Sequence, residues 1–195
     1  MKIAQINKAK RLNNNEEADK ITNIINFMGE NKMIERTLIL IKPDGIQRGL
    51  AGRIISRFED AGFKMVGTKM VWIDEEFGKK HYFDVAERRG ETVLRVLLEF
   101  MTAGPVLAMC IEGINAVENV RKMVGSTEPK SAQPGTIRGD FAHVSYGYAD
   151  EKGIGIKNLI HASGNVDEAK QEVALWFKDE ELHSYKTVHE VHIRE

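Results

Sequence analysis

The run Arg36–Pro43, RTLILIKP, constrains this chain more than any other stretch. Leu38, Ile39, Leu40 and Ile41 leave no polar position between them. A strand that met water on one face would alternate, so this one is expected to be buried on both faces, with Pro43 ending it. Such a strand needs packed layers above and below. The next segments supply them: GRIISRFEDAGF sets Ile54, Ile55, Phe58 and Ala61 on one helical face, and FKMVGTKMVWI is rich in strand formers. A long helical stretch that includes ETVLRVLLEFMTAG follows, then a third strand in PVLAMCIEG and a helix in NAVENVRKMVG. The Gly- and Pro-punctuated loop STEPKSAQPGTIRGDF leads through an irregular region to a fourth strand, NLIHA, and a closing helix, NVDEAKQEVALWF. Two strand-helix-strand halves predict an α/β (α+β) fold: a ferredoxin-like split βαβ with an antiparallel four-stranded sheet covered by helices.

The texture before Ile34 is different. Residues 1–33 are rich in Asn, Lys and Glu, and Ile21, Ile24, Ile25 and Met28 fall at helical spacing. We read them as an N-terminal appendage with one amphipathic helix, and residues 34–195 as the domain. With 195 residues, 42% of them hydrophobic, one core plus an appendage is the expected size. A net charge of -1 argues against nucleic acid as the main partner and requires any cationic site to be built locally. The single cysteine, Cys110, has no internal disulfide partner, no apolar run reaches membrane-spanning length, and the start has no secretory apolar region. A cytoplasmic location is the expectation.

NLIHASG places His161 at the end of an apolar run and follows it with Ala162, Ser163 and Gly164, small residues that leave room for a ligand. Asn165 and Glu168 have the spacing of a capping box opening the last helix. On that helix Glu172 sits at the edge of the apolar face of Val166, Ala169, Val173 and Phe177, where a carboxylate can fold back, fix one tautomer of an imidazole and leave the other nitrogen free. Without the histidine, Glu172 reads as a solvated helix residue. Lys42 ends the buried strand, NVRKMVGST brings Arg121 and Thr127, and PGTIRGD brings Arg138. Singly, Lys42 reads as a snorkelling side chain, Arg121 as a solvated one and Arg138 as a staple between its loop and a carboxylate. Together they supply the fixed charge that phosphoryl transfer requires. KPDGIQRGLAG is not a P-loop, and there is no G-x-G-x-x-G, so the chemistry would run through the histidine.

In order along the chain, ERTLILIKPDGIQRGLAG, HY, GPVLAM, PGTIRGDF and NLIHAS resemble the nucleoside diphosphate kinases, in particular their longer, archaeal-type members, over residues 34 to 195. The resemblance implies ping-pong transfer of a terminal phosphate from a nucleoside triphosphate to a diphosphate through a phosphohistidine, with Mg2+ held on phosphate oxygens and no protein cage for it. It implies His161 as nucleophile, with Lys42, Arg121, Thr127 and Arg138 on the phosphates. Asn158 would stand near sugar and phosphate, Tyr82 near the phosphates, and Ser163 and Glu172 behind the histidine. A homo-oligomer, tetramer or hexamer, is implied as well. A non-catalytic nucleotide-binding or scaffold protein of the same fold is the alternative; it would keep the cations and lose the nucleophile.

Three departures stand out. Gly164 replaces the family's usual acidic residue and is expected to loosen the local network. Val93 stands where the family stacks a phenylalanine on the base. AHVSYGYADEKGIGIK is longer than the usual connection and is expected to form a surface or subunit-contact loop.

Overall fold

In the structure, a computed structural model that describes residues 33–193, the apolar run becomes the interior strand β1 (Ile34–Ile41). The four-stranded sheet has the order β2-β3-β1-β4, with β2 at Lys64–Val71, β3 at Val106–Ile114 and β4 at Ile160–Ala162. β1 pairs antiparallel with β4, setting Leu40 opposite His161, and β2 pairs antiparallel with β3. This is the ferredoxin-like arrangement expected. The predicted amphipathic helix around Ile21–Met28 lies outside the described residues.

Both faces of β1 are buried, for the reason its sequence gives. Ile39 and Ile41 pack on one side with Ile54 and Phe58 of α2 (Ala51–Asp60) and with Val120 and Val124 of α6 (Ala116–Val124). Leu38 and Leu40 pack on the other with Met101 of α5 (Glu91–Thr102), Cys110 of β3 and Val173 and Trp176 of α9 (Val166–Trp176). Cys110 is fully buried, and that burial pushes its thiol up to about 12, so it packs and does not react.

Three elements differ from expectation. The long helical stretch is three helices: α3 (Glu75–His81), α4 (Val85–Arg89) and α5, the last two separated by Gly90 at φ +92°, a conformation side chains resist. The punctuated loop ends in α7 (Ile137–Phe141), and the region after it, expected to be irregular, contains α8 (Tyr146–Lys152); Thr136 and Ser145 cap them respectively. The fourth strand is shorter than NLIHA because Leu159 takes φ +70°.

The chain beyond α9 returns along the edge strand β2. His183 N donates to Val66 O at 2.7 Å, the Tyr185 hydroxyl donates to Met65 O at 2.6 Å, and Lys64 bridges Glu112 and Glu190 of α10 (Val188–Ile193) at 3.0 and 2.8 Å. Part of the exposed edge is thereby covered.

Candidate active site

The KPDG segment builds the floor. Lys42 precedes the short helix α1 (Pro43–Gln47), whose first position suits proline. Asp44 is buried, and its Oδ2 accepts from Leu159 N at 3.1 Å, while Lys42 N donates to Leu159 O at 2.8 Å. These bonds hold Leu159 in a left-handed conformation that a leucine does not adopt freely. A Cβ on Gly45 would lie 2.8 Å from Ile41 Cγ2 and 3.1 Å from Leu159 O, so only glycine permits the approach. Arg138 fixes the same turn from the other side. Its Nε donates to Asn158 O at 3.2 Å, Nη2 to Ile160 O at 2.6 Å and Nη1 to Gly125 O at 2.9 Å. Arg138 is therefore a staple, as one reading proposed, but to three backbone carbonyls and not to a carboxylate.

The turn delivers His161 into β4, and α9 brings Glu172 to it. Both Glu172 oxygens lie near His161 Nε2, at 2.9 and 3.0 Å, and Oε2 also accepts from the Ser163 hydroxyl at 2.6 Å. Ser163 Oγ in turn accepts from Leu38 N at 3.2 Å, tying the carboxylate to β1. Burial alone would raise Glu172, but its hydrogen bonds to His161 and Ser163 and the charge of His161 outweigh it and hold the carboxyl below its usual range. An ionised carboxylate at Nε2 favours the tautomer protonated there, which leaves a lone pair on Nδ1. Ser163 itself is fully buried and supports this pair from beneath.

A cleft of about 930 Å³ gathers the other sequence-predicted residues around His161: Lys42, Tyr82, Val93, Arg121, Thr127, Arg138 and Asn158, with Glu172. Asn158 is held by its neighbours within the cleft. Its Oδ1 accepts from Lys42 Nζ at 2.8 Å and its Nδ2 donates to Thr127 O at 2.9 Å, so its amide aims the lysine and anchors the threonine loop. Burial and the neighbouring Arg138 lower Lys42 to about 8, with Asp44 partly opposing them, and burial with repulsion from Arg121 lowers Arg138 to about 10. Charge concentrated and desolvated in this way is arranged to meet an anion. The Tyr82 hydroxyl is buried with no partner among the described residues, and burial raises its pKa, so it remains a donor.

One expectation is corrected. The long connection is more than a surface loop, since Tyr146, Ala149, Ile154 and Ile156 line the cleft. At the turn after His161, Gly164 N donates to Glu168 Oε2 at 3.1 Å, and Asn165 Oδ1 caps Asp167 N and Glu168 N.

Sequence reasoning missed three further neighbours. His81 is buried edge-on to His161, with ring centroids 4.8 Å apart, and its Nδ1 accepts from Trp176 Nε1 at 3.3 Å; burial lowers it to about 3 and keeps it neutral. The HY dipeptide was its only signal. Asp44 was visible in KPDG but had no partner to suggest a task. Phe83 lines the cleft at its rim and is 71% exposed.

A histidine clamped by a carboxylate shares one cleft with three cationic side chains, the set of groups that phosphoryl transfer through histidine requires. The sequence model of the nucleoside diphosphate kinase family matches residues 35–182. Nucleoside diphosphate kinase from Borreliella burgdorferi is 48% identical over 156 residues, covering 79% of this chain and 93% of its own. That of Pyrococcus furiosus is 49% identical over 152 residues, covering 78% and 88%. Among solved structures, a transition-state mimic of nucleoside-diphosphate kinase from Borrelia burgdorferi with bound vanadate and ADP superposes with a TM-score of 0.82, at 46% identity over 84% of this chain and 99% of the other. A halophilic nucleoside diphosphate kinase from Halobacterium salinarum in complex with CDP gives 0.71, at 42% identity over 83% and 99%. The chain belongs to the nucleoside diphosphate kinase family.

Proposed function

We propose that the protein moves the terminal phosphate of a nucleoside triphosphate onto a nucleoside diphosphate in two steps through His161. In the first, Nδ1 attacks the terminal phosphorus, an N–P bond forms, the bridging P–O bond breaks, and the diphosphate leaves with the electron pair. In the second, a terminal oxygen of the acceptor diphosphate attacks phosphohistidine and the N–P bond breaks. Lys42, Arg121 and Arg138 offset the charge on the phosphoryl oxygens, and the Tyr82 and Thr127 hydroxyls donate to them. Asn158 aims Lys42, Glu172 and Ser163 hold the imidazole, and Val93 lines the nucleoside end. The observation that carries this reading is the Glu172 clamp on Nε2, which leaves Nδ1 as the nucleophilic atom. Incubation with terminally labelled ATP, followed by peptide mass analysis in mild base, is expected to place the label on the His161 peptide, with acid removing it; label on His143, His81 or a serine contradicts the assignment.

Mg2+ is best treated as part of the nucleotide substrate. Among the described residues the group whose ligand atoms lie close enough to hold an ion is His81, His161 and Glu172, within 4.8 Å of one another. Two imidazoles do not suit a cation that seeks oxygen, and Glu172 already serves His161, so these three residues do not form a magnesium site and no step is assigned to one.

Lys42 gives the site a pH signature. In the free protein it loses its charge as pH rises through about 8. A bound polyphosphate favours the charged form, so nucleotide binding at pH 9 is expected to take up close to one proton, and at pH 7 almost none. Calorimetry in buffers of unlike ionisation enthalpy measures that uptake; equal uptake at both pH values, or undiminished uptake in Lys42→Met, contradicts it.

We further propose a homo-oligomer, a tetramer or hexamer, in a cytoplasmic setting. Met70 and Trp72, at and just beyond the end of β2, are 60% and 66% exposed, apolar surface that assembly would bury. Among the described residues no helix is long and apolar enough to cross a membrane. The family match begins at residue 35, and residues from Glu35 onward form one compact unit. Deleting residues 1–32 is therefore expected to leave exchange within about twofold of the full chain. Turnover and sedimentation of the two forms check this, and a truncated chain that folds but cannot exchange phosphate places the functional boundary elsewhere.

A further inference from the structure

The cleft is closed on one side by the segment that lengthens the connection between α7 and β4. On α8, Tyr146, Ala149 and Asp150 have the i, i+3, i+4 spacing of a single helical face, and all three line the cleft. This wall is held in place. The Tyr146 backbone N donates to Glu128 Oε1 at 2.9 Å, and Glu128 is the residue after Thr127; Ser145 caps the helix by accepting from Tyr148 N at 3.2 Å. Past the helix, Gly155 lies against α5, where a Cβ would come within 2.9 Å of Val96 O. The same α5 carries Val93, which also lines the cleft.

Tyr146 is half-buried, and its phenol lies within electrostatic reach of the Arg138 guanidinium. Tyr146 thus lines the cleft beside its cationic floor. Phe83, another aromatic residue of the lining, is mainly exposed to solvent. Asp150, one turn beyond Tyr146, adds an exposed carboxylate, an acceptor without donors.

We infer that α8 is the nucleoside-recognition wall of this site, with Tyr146 packing its ring on the nucleoside and Asp150 accepting hydrogen bonds from the base edge. The inference rests on the nucleotide phosphotransfer reading and extends it to base preference. A carboxylate favours a base edge with adjacent N–H donors, which guanine offers at N1 and N2. It disfavours uracil, whose single N–H lies between two carbonyls. The aliphatic Val93 is then complemented by an aromatic face supplied from α8.

The test uses the full-length protein and the variants Tyr146→Ala, Tyr146→Phe, Asp150→Asn and Phe83→Ala. Tyr146→Ala is expected to raise KM for nucleoside diphosphates about tenfold, with Tyr146→Phe close to wild type. Phosphorylation of His161 by phosphoramidate, a phosphoryl donor with no nucleoside, should stay within about twofold of wild type in every variant. Asp150→Asn is expected to lower the ratio of kcat/KM for GDP over UDP about fivefold. Asp150 is exposed, so this variant keeps the question open to test if Tyr146→Ala folds poorly. An unchanged KM in Tyr146→Ala, a phosphoramidate rate that falls with it, a loss carried by Phe83→Ala instead, or an unchanged GDP-to-UDP ratio in Asp150→Asn each overturns the inference. A wild-type protein that takes no phosphate from ATP overturns the phosphotransfer reading as well, whereas normal exchange with silent variants overturns the α8 inference alone.

Discussion

Replacing His161 with glutamine is expected to abolish phosphate exchange, lowering turnover by at least about 10⁴-fold while nucleotides still bind. The imidazole has two jobs and glutamine can do one of them. Its amide N–H can still donate to Glu172, which otherwise would be a buried carboxylate without its main partner, so the corner between β4 and α9 should survive. What glutamine lacks is a nucleophilic ring nitrogen. Lys42, Arg121 and Arg138 remain in the cleft, and they account for the retained affinity. Turnover and nucleotide binding measured on the same preparation decide the point. Residual exchange at even a hundredth of wild type would mean that the phosphate does not travel through this residue. Loss of binding together with turnover would mean that His161 holds the cleft open as well as reacting.

The parts of the site that can be read in the sequence are those whose chemistry and spacing lie within one segment. His161 among small residues, followed by a helix with Glu172 just under two turns in, is a local pattern, and the clamp at 2.9 Å joins its two ends. The doubly buried β1 is legible for the same reason, because four consecutive aliphatic residues leave no other option.

Illegible features depend on where a side chain ends up in three dimensions. Nothing in PGTIRGD says that Arg138 will meet three carbonyls from two other segments, and nothing in NLIHA says that Asn158 will turn its amide to Lys42. Leu159 at φ +70° breaks an otherwise regular strand pattern, and it takes the Asp44 carboxylate, the Lys42 N–H, the Arg138 bonds to both neighbouring carbonyls and the glycine at 45 to explain why it is tolerated. The α8 wall was hidden differently. Seven residues give too short a period to separate a helix from a loop, and its cap at Ser145 is a signal shared with many turns.

Arg138→Ala should cost both stability and turnover, and the two losses have separate causes. In the folded protein the guanidinium is buried and donates to the carbonyls of Gly125, Asn158 and Ile160, the last two flanking the left-handed Leu159. Removing it leaves buried carbonyls unpaired, at about 1–3 kcal/mol each if water cannot replace it. With partial relaxation, a net loss of about 3 kcal/mol, or about 10 °C in Tm, is the expected result. Separately, the guanidinium protons that face the cleft would stabilise charge as the phosphoryl group moves, and losing such a donor typically lowers turnover by about 10²–10³-fold. Because that charge is greatest in the transition state, affinity for the diphosphate should fall less than tenfold, on the order of 1 kcal/mol or below. Arg138→Lys separates the causes: one ammonium keeps the charge but lacks the planar fork that reaches three carbonyls, so it should recover more of the turnover than of the melting temperature. Equal losses of turnover and affinity in the alanine variant would reduce Arg138 to a structural staple. An unchanged melting temperature would show that the three hydrogen bonds do not hold the turn, and the support of Leu159 would then fall to Asp44 and Lys42 alone.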